Sequence, residues 1–163
     1  MKNNFFGKYL IFALLIITFL VLVYPQRAEA TDISVSGSWS ETINADDLID
    51  GAGSDLLSTY QNSGGDISLT LSNGSSNWRV DVKRSDTIWS SNFSLGVRRV
   101  SSGSGGTVSG GTTYLTTRTI DSEFFTGSGS PSGIDLQLRL SGVSIAIPVD
   151  IYSTTITYTV VDI

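Results

Sequence analysis

The sequence contains no cysteine and no histidine. Without cysteine there is no disulfide framework and no lipid-modified thiol, so a folded domain must stand on its apolar core. Without both residues there is no Ser-His-Asp triad, no thiol nucleophile and no ordinary zinc site. Basic residues are absent from a whole third of the chain. Thr31 to Trp78 carries seven acids (Asp32, Glu41, Asp46, Asp47, Asp50, Asp55, Asp66) and neither Lys nor Arg. From Arg79 onward seven acids meet seven bases, so residues 31–163 have fourteen acids against seven bases, a net charge of −7. A nucleic-acid partner is not expected, because phosphate binding needs a surplus of Lys and Arg. The acidic lobe suits cation binding, head-to-tail self-association, or simply a solvated face.

What is present begins with an address. Lys2 and Lys8 precede an apolar run, Leu10 to Val23, interrupted only by Thr18; Pro25 ends it and Ala28-Glu29-Ala30 offers a small-x-small cleavage site. Those fourteen residues fall short of the roughly 20 that span a bilayer, so residues 1–30 read as a secretory signal peptide. Residues 31–163 then form a single domain, placed in the secreted, periplasmic or cell-surface space. No further apolar run of membrane length follows, so no membrane association is expected after cleavage.

Almost every later segment alternates. Ile33, Val35 and Trp39 share a face, as do Ile67, Leu69 and Leu71; Trp78, Val80 and Val82; Phe93, Leu95 and Val97. Ile134, Leu136, Leu138 and Leu140 repeat the pattern, and "STTITYTVV" sets Ile156, Tyr158 and Val160 against threonines. A period of two is that of half-buried strands. "SNGSSN", "SSGSGGTVSGG" and "TGSGSPSG" read as turns between them. The fold expected is an all-β antiparallel β-sandwich, immunoglobulin-like, of seven to nine strands, with a barrel as the alternative. Trp78, Val80, Leu136, Leu138, Ile156 and Tyr158 are the expected core, with Trp78 as anchor.

The stretch most like a site is "DDLIDGAGSDLLSTY", Asp46 to Tyr60. It fails as an EF-hand, because Leu48 and Leu57 stand where ligands belong. It matches one copy of the calcium-binding nonapeptide, through Gly51, Gly53, Asp55 and Leu57, but that motif works in tandem copies. Asp47, Asp50 and Asp55 would be the ligands of a calcium ion; the alternative is an acidic structural loop, and no metal or cofactor is assigned. Among enzymes only a carboxylate pair is available, and the only glutamates after residue 30 are Glu41 and Glu123. No catalytic residue is assigned. Arg79 and Lys83, with Arg98 and Arg99, would form a basic stripe if their strands are neighbours; otherwise they pair with Asp81 and Asp86. Trp89, Phe124, Phe125 and Tyr114 could stack on sugar rings or plug the core. Asn73-Gly-Ser and Asn92-Phe-Ser fit the glycosylation acceptor pattern.

Trp78-Arg79-Val80 and Tyr158-Thr159-Val160, the latter on a threonine-rich final strand, resemble the two signatures of WxL-type bacterial cell-surface domains, with Val for Leu twice and Tyr for Trp once. That resemblance implies a secreted surface β-sandwich held non-covalently at the cell wall. The function expected is a non-catalytic secreted or cell-surface structural or binding protein, with itself or an extracellular polymer as partner. The alternative is a small secreted carboxylate-dependent hydrolase acting on polysaccharide. The first mature strand and the last, with Asp32 their single charge between them and no proline, are the expected sheet edges for self-association. The acidic third of one copy would then meet the Arg79–Arg139 part of the next.

Overall fold

A computed structural model describes residues 30–74 and 77–163. Of the segment read as a signal peptide, residues 1–29 lie outside the described residues. Ten strands follow in order: β1 (Asp32–Ser36), β2 (Thr59–Gln61), β3 (Ile67–Ser72), β4 (Asn77–Ile88), β5 (Ser94–Arg99), β6 (Ser104–Gly110), β7 (Leu115–Thr116), β8 (Ser122–Ser132), β9 (Ile134–Ser141) and β10 (Ser153–Asp162). Among the described residues the helical content is one 3-10 turn, Ala45–Asp47. All pairings are antiparallel, and they build two sheets. The first runs β1-β3-β9-β5-β7, with β2 beside β3 on the same edge of β9; the second runs β10-β4-β8-β6. The all-β sandwich is thus what the chain forms. The immunoglobulin comparison holds for two packed antiparallel sheets, whereas the winding differs. From β3 to β10 every link crosses from one sheet to the other, in the interleaved manner of jelly rolls.

The alternating residues do what their period demands. Ile67, Leu69, Leu71, Leu95, Val97, Ile134, Leu136 and Leu138 of the first sheet meet Trp78, Val80, Val82, Phe124, Phe125 and Tyr158 of the second. Five of the six expected core residues are buried; Ile156 is half-buried and packs against the rest. Trp78 is the anchor. It is fully buried, its indole Nε1 donates to the Gly129 carbonyl at 2.8 Å, and its ring meets the Phe125 ring edge-on at 6.1 Å. The consecutive Phe124 and Phe125 break the period, and both are buried because β8 is bulged. Val80 faces Phe125 and Asp81 faces Glu123, which leaves Phe124 as the extra residue.

Two stretches that look like turns are strands. "SGGTVSG" is β6 and "TGSGSPS" is the second half of β8, paired Gly106 to Gly129, Thr107 to Ser128 and Val108 to Gly127. Their small residues have a steric reason. A Cβ on Gly127 would lie 2.4 Å from the Trp78 ring, so only glycine lets this strand cross the anchor. At one border between the sheets, β1 and β10 close together: the Thr31 amide donates to Asp162 Oδ2 at 3.2 Å and its hydroxyl to Oδ1. Away from that clasp the two edges part.

Candidate functional site

The gap between the parted edges is a groove of about 850 Å3. Its floor is the inner face of the first sheet (Ile67, Leu95, Leu138, Leu140), and its walls are Val35 and Trp39 on one side and Ile156 and Tyr158 on the other. At the mouth stand Trp89, Phe93 and Tyr152, in edge-on contacts at 5.3 and 4.9 Å. Trp89 is therefore part of an aromatic cluster, with the Arg84 guanidinium 5.0 Å from its ring centroid. Within this lining the Trp89 indole N–H and the Tyr158 hydroxyl are buried and make no hydrogen bond among the described residues. Burial pushes the Tyr158 phenol far above its ordinary range, so it stays a neutral donor.

Strand β10 borders this groove and, among the described residues, pairs on one side only, with β4. Its run from Ser153 to Val161 has no charge, no proline and no register break after Thr154. Native edges are normally blunted by one of these devices. Strand β1 is likewise the edge of the first sheet, but it is five residues long and carries Asp32. Both strands expected at the edges are there.

The other candidates are dispersed. In the acidic loop two carboxylates have structural partners. Asp47 accepts from the Asn44 amide at 2.9 Å and forms a capping box with it. Asp55 accepts from the amides of Leu56 and Ile145 (2.8 and 2.9 Å) and from the Ser144 hydroxyl, which together lower its pKa. Asp50 is exposed, and no group of three acidic or metal-ligating side chains is gathered among the described residues. Glu41 lines the groove with Asp150, while Glu123 sits on β8 opposite Asp81. The structure does not join Glu41 to Glu123.

The basic stripe is split between sheets: Arg79 and Lys83 are on β4, Arg98 and Arg99 on β5. Arg79 pairs with Asp81 at 2.7 Å, Lys83 with Asp121 at 3.2 Å, and Arg84 with Asp86. Arg99 is buried, donating to the carbonyls of Gly110 and Ser101. Phe124 and Phe125 are core, not sugar platforms. Of the acceptor sequons, Asn73 donates to Asp32 at 3.0 Å and its Ser75 lies outside the described residues. Tyr114 is half-buried and belongs to a cluster that the sequence does not bring together. Arg98 and Arg139 lie 4.8 and 3.9 Å from its ring centroid.

No family model, no curated protein and no solved structure matches this chain.

Proposed function

We propose that this is a non-catalytic structural protein of the secreted or cell-surface space that assembles with copies of itself through β10. The observation that carries the reading is the free edge of that strand, uncharged from Ser153 to Val161 and flanked by an apolar groove. Two copies related by a twofold axis would pair β10 with β10 and join their second sheets into one. A register with Thr157 opposite its own copy sets Ile156 against Tyr158, an aliphatic-aromatic pair, and leaves Asp162 outside the paired run. The joined edges would cover both grooves. The charge-driven head-to-tail contact is weaker by comparison, since Arg79, Lys83 and Arg84 already have carboxylate partners within the domain.

The test is light scattering of residues 31–163 against a Thr155→Lys/Thr159→Lys variant. Both threonines are exposed, and their partners on β4 are Ser85 and Asp81, so neither lysine stands directly opposite a like charge. Thr157 is avoided because it faces Lys83. The expected result is a concentration-dependent dimer that the two lysines abolish. A strictly monomeric wild type at high protein concentration would end the proposal.

A second reading has one observation in its favour: Glu41 and Asp150 line the same groove as Trp39, Trp89 and Tyr152. A polysaccharide hydrolase would use such a pair. Release of reducing ends from a polysaccharide, abolished by Glu41→Gln or Asp150→Asn, would establish it in place of the first. As for the WxL-type resemblance, Trp78, Val80 and Tyr158 lie on the neighbouring strands β4 and β10 and are buried. Any attachment to a cell wall would have to use other residues.

A further inference from the structure

On the outer face of the first sheet, away from the β10 edge, Tyr114 lies against Gly96. A Cβ there would come within 3.2 Å of Tyr114 Cδ1, so the glycine makes room for the ring. In register around Gly96 stand Arg139, directly opposite on β9, and Arg98, two residues on and opposite Gln137. Both guanidiniums lie against the Tyr114 ring. Gln137 locks the group. Its Oε1 accepts from Arg98 Nε and Nη2 (2.9 and 2.7 Å) and from the Tyr114 hydroxyl (3.0 Å), while its Nε2 donates to the Asn62 carbonyl at 2.9 Å. The Tyr114 hydroxyl also lies 3.2 Å from Gln61 Oε1, on β2.

Neither arginine has a carboxylate within 4.0 Å among the described residues, although acids outnumber bases two to one in residues 31–163. Asp135, on the same face of β9, forms no ion pair with either. Among the described residues Arg98 Nη1 meets no acceptor, and the Arg139 side chain makes no hydrogen bond. Two held guanidiniums with unused donors form a receptor for a planar anion.

We infer that this cluster binds the carboxylate of an acidic polysaccharide, a uronate polymer. The patch presents guanidinium, amide and hydroxyl groups, which suit a sugar acid and its hydroxyls. The net charge of −7 opposes the most densely charged polymers, and one that carries a single carboxylate per sugar is repelled less. The inference goes beyond the self-assembly reading and shares no residue with the β10 edge.

The experiment is affinity electrophoresis through polygalacturonate, with residues 31–163 carrying Thr155→Lys/Thr159→Lys so that self-assembly plays no part. Retardation should occur at low salt, be absent with neutral dextran, and fade as the pH falls through the uronate carboxyl range, since Arg stays charged. Arg98→Gln/Arg139→Gln should weaken it at least about ten-fold, and Arg118→Gln, at an exposed position elsewhere, should leave it unchanged. Arg139→Gln alone serves if the double variant misfolds, because that side chain makes no hydrogen bond among the described residues. Absence of retardation, equal retardation of the Arg139 variant, or stronger binding to polyglutamate or dextran sulfate would each overturn the inference. Dimerisation of the unblocked protein is read separately, so failure of one proposal does not imply failure of the other.

Discussion

Replacing Trp78 by Ala tests the packing of the domain at its centre. The side chain is fully buried, and an aromatic of this kind removes about 150–250 Å2 from water. At about 25 cal/mol per Å2 that is about 4–6 kcal/mol as an upper bound. The ring rests on Gly127 and Gly74, whose missing side chains cannot swing in to fill a cavity, so relaxation should recover little of the loss. The substitution also strips the Gly129 carbonyl of its donor. We expect a cost of about 4–5 kcal/mol, at the upper end of aromatic-to-alanine changes and close to the whole stability of a marginal domain. Trp78→Phe keeps most of the volume but loses the Nε1 hydrogen bond, and should cost about 2 kcal/mol. Urea unfolding followed by far-ultraviolet circular dichroism gives both values, provided the slope m is unchanged. A loss below about 1 kcal/mol for the alanine variant would refute the reasoning, because a tryptophan that cheap cannot separate the sheets.

Phe124→Ala and Phe125→Ala should each cost about 3–4 kcal/mol in the same assay; a regular, unbulged β8 would make one of them nearly neutral. The depressed pKa of Asp55, caused first by the Ile145 amide and then by that of Leu56, carries a pH dependence. Its stabilising effect is present above the unfolded carboxyl pKa of about 3.9 and disappears as pH falls through the lower folded value. Protection of the Ile145 and Leu56 amides, taken against the intrinsic exchange rate at each pH, should fall on that acid limb, and Asp55→Asn should remove this pH dependence; protection that ignores both would show the loop is not tethered there.

Local pattern carried much of this architecture. The period-two runs around Leu69, Val80, Val97, Leu136 and Tyr158 are all strands, because a half-buried strand has one way to arrange its apolar side chains. Pairing is non-local, so the interleaved winding and the β10 edge's neighbouring groove have no signature within any one run. Ser104–Gly110 misleads because its strand is held by backbone bonds and its glycines lie against the β8 backbone (Gly106 against Ser128, Gly105 against Ser130), a requirement set by residues far along the chain. The bulge at Phe124 is invisible for the same reason. The acidic loop draws attention by composition, yet its Asp47 and Asp55 are spent on amides. The Arg98–Tyr114–Arg139 cluster had one available sign, the glycine interrupting Phe93, Leu95 and Val97. Gly in a strand marks a close approach, but the approaching ring comes from another segment.

The absence of cysteine allows the direct test of assembly through β10. In the twofold register proposed, Thr157 faces its own copy with Cα atoms about 4.5–5.5 Å apart, within the range that a disulfide bridges. Thr157→Cys, at an exposed position, should therefore give a covalent dimer on a non-reducing gel under mild oxidation. Thr155→Cys would face Thr159 of the other copy and should remain largely monomeric. A Thr157→Cys protein that stays monomeric, or one that cross-links no better than the Thr155 variant, would contradict the account.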